Sequence, residues 1–197
     1  MARKENAAAM ITECQIFFEH RSLRPVFRLL SVVDNSVLDA ELAGLGFAKV
    51  EPSLVMTRKL APADERAPAV SIGTDEWMGA YGAISTDPND PAHLKHRAIL
   101  DRLPPDRLFL VLREEDIPVA CGIGVMRGNI VSLLDILVCP EWRGRGLGLM
   151  VVNTILTWAA ARSAEWAMLQ VVENNTPARR LYVGAGFEPT YGYYYRV

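Results

Sequence analysis

Between Ile130 and Leu156 the spacing of apolar residues changes from the strand period to the helix period, across a short stretch dense in arginine and glycine. Ile130–Val138 is apolar and rich in strand-favouring residues, and Pro140 stops it because proline has no N–H to give a ladder. From Gly148 onward Leu149, Val152, Leu156 and Ala159 recur at helical spacing, with Val151, Ile155 and Trp158 beside them. One helix with a broad buried face must follow the strand almost at once. A sheet with helices laid on its faces is the architecture that accommodates this.

The neighbouring segments are punctuated as regularly. Residues 108–112 form an apolar β-favouring run, Arg113-Glu-Glu-Asp116 a polar turn, and residues 117–126 a second run. Arg127-Gly128-Asn129 then turns tightly into Ile130–Val138, so three strands form an antiparallel meander. Beyond the helix, Trp166–Val172 reads as a strand. Asn175, Thr176 and Pro177 supply helix-start chemistry, and the helix that follows buries Ala178, Leu181, Tyr182 and Ala185 before Gly184 and Gly186 mark its end. Residues 187–196 are a tyrosine-rich last strand. The order β-β-β-α-β-α-β predicts an α/β (α+β) fold, a mixed and mainly antiparallel sheet flanked by helices. Ahead of it, residues 74–84 and 91–103 read as helices separated by an Asp/Pro-rich break.

Composition narrows the function classes. Half of the 197 residues are hydrophobic, enough for a sizeable core without disulfides or metals. A formal net charge of −2 without a long block of like charge argues against nucleic acid or an anionic membrane as partner. Cys14, Cys121 and Cys139 form no CxxC pair, and His20, His93 and His96 make no zinc spacing with them, so no metal is expected. The apolar run from Ala7 to Ile11 is too short for a signal-peptide core or a membrane span, and a cytoplasmic location is expected. A monomer and a homodimer are equally compatible with the sequence.

Residues 1–60 contain a second version of the closing pattern. Phe47 and Phe187 end similar segments, an offset of 187 − 47 = 140. At that offset Leu29 meets Leu169, Val32 meets Val172, Asn35 meets Asn175, and Gly44 and Gly46 meet Gly184 and Gly186. The segment reads as a degenerate α-β-α-β half-repeat. Residues 61–69 read as an Ala/Pro-rich linker and residues 70–197 as the second domain, expected to be the catalytic one.

The chemistry concentrates in residues 135–149. Glycines there let successive N–H groups converge on one point at the positive end of a helix, and Arg143 and Arg145 add forked donors suited to phosphate. A Walker loop fails, because Gly148 is followed by Leu149 and Met150 rather than Lys and Ser/Thr. A dinucleotide fingerprint fails too, since the glycines fall at Gly144, Gly146 and Gly148 after a meander. The expected guest is a pyrophosphate.

What does fit is Arg-x-x-Gly-x-Gly at Arg143, Gly146 and Gly148, preceded by Val138-Cys-Pro140. Asn175-x-x-Ala178-x-x-Leu181-Tyr182 and Gly186-Phe187 follow it. In these motifs the sequence resembles the GNAT superfamily of N-acetyltransferases, over residues 108–197. The resemblance implies that acetyl-CoA is the cosubstrate, its pyrophosphate gripped by Arg143, Gly144, Arg145, Gly146, Leu147, Gly148 and Leu149. It also implies two strands splayed about the pantetheine arm, with backbone groups of Leu137, Val138 and Cys139 along the arm and Asn175 approaching the coenzyme. Tyr182 would give a proton to the leaving sulfur.

Direct attack of a neutral amine on the thioester is the implied reaction. A lysine-like amine, with a pKa of about 10.4, is almost wholly charged at pH 7, so a base is needed, and Asp135 is the candidate. Bland readings stand beside these. Tyr182 lies on an apolar stripe, Asn175 can be a helix cap, Asp135 can be half of an ion pair, and Trp77 and Tyr81 can be core rather than acceptor pocket. A small-molecule amine, of a metabolite or amino acid, is the expected acceptor. A protein amine and a non-catalytic coenzyme A-binding module are the rivals. The N-terminal copy is expected to bind no coenzyme, because Asn6 and Ala8 stand where Gly146 and Gly148 do and Leu42 replaces Tyr182.

Overall fold

The computed structural model describes residues 2–62, 71–85 and 92–197. Along them run α1 (Ala2–Glu19), β1 (Phe27–Leu30), α2 (Ser36–Gly44), β2 (Lys49–Lys59), α3 (Thr74–Ile84), α4 (Ala92–Leu100), β3 (Arg107–Glu114), β4 (Ile117–Arg127) and β5 (Ile130–Val138). A single 3-10 turn (Pro140–Trp142) leads to α5 (Leu147–Ala160), β6 (Trp166–Val172), α6 (Thr176–Gly184) and β7 (Glu188–Arg196). Strand order is β1-β7-β2-β6-β5-β4-β3, the mixed sheet flanked by helices that the sequence pattern calls for. β3 extends past residues 108–112 at both ends, and α4 stops at Leu100 rather than 103. There the Leu103 N–H turns back to the Leu100 carbonyl at 3.1 Å, ahead of Pro104 and Pro105. Most of the expected 61–69 linker, and the Asp/Pro-rich break before α4, lie outside the described residues. Among those described, no helix is long and apolar enough to cross a membrane.

The chain divides into two compact units. The first comprises Met1–Met56, Gln170–Arg179 and Pro189–Val197. Within it β1 lies antiparallel to β7, from Phe27 opposite Arg196 to Leu30 opposite Tyr193. Ile11 of α1, Leu29 of β1 and Leu42 of α2 form its buried centre, with Phe27, Leu38, Phe47 and Tyr194 packed around them. Arg196 crosses to Asp39 at 2.8 Å and holds the carboxyl of Asp39 below its ordinary range.

The second unit, Thr57–Leu169 with Arg180–Glu188, carries the β3–β4–β5 meander. β4 is its central strand, and the pleat sends alternate residues to opposite layers. Cys121, Ile123 and Val125 join Trp77 and Ile84 of α3, Leu100 of α4 and Phe109 of β3 in one core. Trp77 is fully buried, and its indole N–H donates to the Leu110 carbonyl at 3.2 Å. Gly122 and Gly124 face α5 instead. A Cβ at Gly122 would lie 2.6 Å from Val151 Cγ1 and 2.7 Å from Ile136 Cδ1; at Gly124 it would lie 2.7 Å from Ile155 Cγ2. These two glycines let α5 rest on the backbone of the strand. Gly122→Ala should therefore overpack the interface and lower stability by about 1–3 kcal/mol. The urea midpoint should fall at constant m-value, and an unchanged midpoint would mean that the contact relaxes freely.

Candidate functional site

A bulge on β5 organises the site. On β4, Cys121 pairs with Leu137 and Ile123 with Leu134, so Asp135 and Ile136 together oppose Gly122. Asp135 takes the left-handed conformation, φ 52°, which an aspartate tolerates better than most side chains. The inserted residue reverses the alternation. Leu134 and Leu137, three apart, both pack against the Trp77 core, while Val138 reaches the α5 layer beside Gly148. The parallel ladder with β6 runs only from Ile130/Trp166 to Ser132/Met168, before the bulge. Past Ser132 the β6-facing edge of β5 has left that ladder.

Hydrogen bonding then separates the three backbone positions expected along the pantetheine arm. Cys139 N–H donates to the Val119 carbonyl at 2.9 Å, and the Cys139 carbonyl accepts from Trp142 N–H at 2.9 Å. The Cys139 amide is therefore committed to β4. Antiparallel alternation turns the Leu137 N–H toward β4 as well, and the Val138 N–H away from it. Val138 is the donor left facing the open edge.

Immediately beyond, the chain turns through Gly144 (φ 76°) and Gly146 (φ 81°) into α5. Gly146 is the N-cap, and no side chain caps the helix. The first intrahelical bond joins Met150 N–H to the Gly146 carbonyl at 3.0 Å, so the N–H groups of Leu147, Gly148 and Leu149 have no partner within the helix. Arg143 Nε donates to the Val138 carbonyl at 3.2 Å, tying the loop to the end of β5. The Arg145 guanidinium lies 4.5 Å from the centre of the Trp142 ring. Gly148 keeps a close layer: a Cβ there would lie 3.1 Å from Leu181 Cδ2. Orphan amides, a positive helix end and two arginines make an anion cradle.

Tyr182 lies on α6, 8% exposed, its ring edge-on to Phe187 at 6.1 Å. Burial pushes its phenol up to about 12, so it is neutral throughout the physiological range and can donate but not accept a proton. Asn175 is in the other unit, where its Oδ1 accepts from Ala178 N–H at 3.2 Å and caps α6.

Asp135 has a partner that sequence reasoning did not find. Its Oδ2 is 2.8 Å from Nε2 of His96 on α4. The His96 ring meets Tyr81 edge-on at 4.9 Å and Trp77 at 6.0 Å, while Tyr81 stacks on Trp77. His93 and His96 share a helix face by their spacing, but nothing in the sequence announces a pairing 39 residues away.

The sequence model of the Acetyltransferase (GNAT) family matches residues 73–187. Over 192 residues the chain is 27% identical to an uncharacterized N-acetyltransferase, YobR, of Bacillus subtilis (strain 168), covering 94% of this chain and 77% of that protein. Among solved structures, an acetyltransferase from the GNAT family of Colwellia psychrerythraea is similar at a TM-score of 0.64 and 14% identity, covering 100% of this chain and 72% of that one. A GCN5-related N-acetyltransferase from Sphaerobacter thermophilus gives 0.60 and 19% identity over 90% of this chain. The chain spans 62% of that protein's length.

Proposed function

The chain belongs to the GNAT family of acetyltransferases and is an acyltransferase, and from that premise we propose that it moves an acetyl group from acetyl-CoA to a primary amine. The acceptor is a small metabolite or amino acid, and both substrates are held together in a ternary complex. One observation carries the coenzyme assignment: the uncapped N-terminus of α5, reached through two left-handed glycines and flanked by Arg143 and Arg145. Such a cradle suits a pyrophosphate, held by the amides of residues 144–149.

The thioester supplies the acyl carbon that the amine attacks. The Val138 N–H, turned from β4 at the end of the bulged strand, is placed to stabilise the oxyanion that develops there. Tyr182 donates a proton to the departing sulfur, and Asp135 marks the basic side of the site. Asn175 is kept as a candidate coenzyme contact on the strength of the family motif alone. Residues 1–60 are read as the degenerate half-repeat, residues 61–69 as linker and 70–197 as the catalytic domain. Supporting this, α2 and α6 have equal bounds at the offset of 140, since 36 + 140 = 176 and 44 + 140 = 184.

Two measurements test the proposal. Calorimetry with acetyl-CoA should give one site per chain, and two equivalent sites would overturn the erased-copy reading. A panel of amino acids, small amines and peptides, followed by thiol release, should show turnover on a small amine. Peptide-only turnover would move the acceptor to a protein amine. Coenzyme binding without thiol release on any acceptor would make the chain a binding module.

A further inference from the structure

We propose that His96 is the group that takes the proton from the acceptor amine, with Asp135 as its positioning residue; this rests on the acetyltransferase reading above. An ionised carboxylate only accepts hydrogen bonds, so at 2.8 Å the Nε2 atom of His96 carries the hydrogen, and in the neutral ring Nδ1 is left as the acceptor. The carboxylate is aimed by an unusual backbone. Asp135 sits at φ 52° in the bulge, a conformation that surrounding structure must enforce and that re-aims a side chain. Tyr81 and Trp77 box the ring edge-on from α3, which fixes its plane. Both partners are sheltered yet reachable, their side chains 19% and 31% exposed.

The dyad stands on the strand that also presents the Val138 N–H. Asp135 precedes Val138 by three residues, at most about 10 Å along a strand. The thioester carbonyl, the amine nitrogen and one water fill such a span. In the step, the amine nitrogen bonds to the acyl carbon, and one N–H proton passes, directly or through that water, to Nδ1. The C–S bond then breaks, its electron pair leaves on sulfur, and the Tyr182 hydroxyl protonates that sulfur. The imidazolium and the phenolate return to neutrality by exchange with solvent, so the proton count closes.

Titratable groups among the described residues lie on the elements packed around the dyad. Tyr81 comes from α3, His93 from the ring's own helix and Cys121 from β4. Burial, then the negative charge of Asp135, pushes the Cys121 thiol up to about 12, so it stays neutral. Arg97, one residue beyond His96, is held by Asp75 and Asp101.

The test uses the full chain, alaninamide as amine and hydroxylamine as a nucleophile already neutral at pH 7. His96→Gln should lower kcat/KM for alaninamide by about 10²–10⁴-fold, and for hydroxylamine as well, because that nitrogen sheds an N–H proton in the same step. Acetyl-CoA affinity by calorimetry should hold. In the ligand-free protein, ¹⁵N shifts of the His96 ring should show protonated Nε2 and bare Nδ1 at neutral pH, a preference that Asp135→Asn abolishes. A His96→Gln enzyme with the wild-type rate would overturn the assignment, and so would a neutral ring protonated at Nδ1. A wild-type chain that neither binds acetyl-CoA nor releases thiol with hydroxylamine would sink the acetyltransferase reading instead, and the ring spectrum would still decide the dyad.

Discussion

Gly146→Val is expected to weaken acetyl-CoA binding by roughly tenfold to a hundredfold while leaving the chain folded. At φ 81° Gly146 occupies a region that a β-branched residue enters only at a cost of about 1–2 kcal/mol or more. No atom lies within 4 Å of a Cβ there, so the penalty is one of backbone conformation rather than collision. The chain relieves it by swinging the peptide out of the left-handed region, which turns the amides of Leu147 and Gly148 off the phosphate. Each charge-assisted bond lost costs about 1.5–3 kcal/mol, and about 1.4 kcal/mol is a factor of ten. Arg143→Ala should weaken binding comparably and also release the tie to the Val138 carbonyl. Calorimetry on variants with wild-type circular dichroism checks both, and undiminished affinity in the two would remove the cradle from the coenzyme site.

For Tyr182→Phe the prediction is a fall in kcat of about a hundredfold with coenzyme affinity kept. The ring and its contact with Phe187 survive; only the proton donor goes. A thiol of pKa about 8.5 is a fair leaving group, so the loss belongs at the lower end of what general acids contribute. The phenol's raised pKa adds a second, independent readout. Its folded value of about 12 lies above the ordinary 10, so the folded state holds this proton more tightly than the unfolded chain. The resulting stability is complete below pH 10 and is lost as pH rises toward 12. Tyr182→Phe removes the ionisation, so the variant should unfold less steeply over that alkaline window. An equal kcat, measured where chemistry limits the rate, would reduce Tyr182 to a packing residue.

Much of the architecture is legible because its boundaries coincide with residues whose backbone chemistry marks the end or start of an element. Pro140 ends β5, Gly146 opens α5, and Thr176-Pro177 opens α6; α3 and β6 likewise occupy the ranges that periodicity marks. The anion cradle is legible for the same reason, since left-handed turns draw on glycine and Gly144 and Gly146 supply it. The bulge at Asp135 is not. Leu133, Asp135 and Leu137 alternate without interruption on paper, which puts all three on one face. In the sheet Leu133 pairs with Gly124 under α5, while Leu137 pairs with Cys121 toward Trp77. Nothing local marks the extra residue, because its cause is the register with β4. The His96–Asp135 pair is hidden by the same logic: a side-chain hydrogen bond between a helix and a strand is a property of packing. The commitment of the Cys139 amide to Val119 follows from register too, and no motif encodes it.

The pairing of β1 with β7 sets a schedule for making the protein. Phe27 finds its neighbour in Arg196, and Leu30 in Tyr193. Until residues 193–196 have been synthesised, β1 has no partner strand there, and Leu29 and Leu42 wait in a nascent chain with Tyr194 missing from their core. The β3–β4–β5 meander has no such delay, since each strand turns straight back on the one before it. Nascent folding should therefore begin in the β3–β4–β5 meander, with β1 left unpaired until β7 emerges.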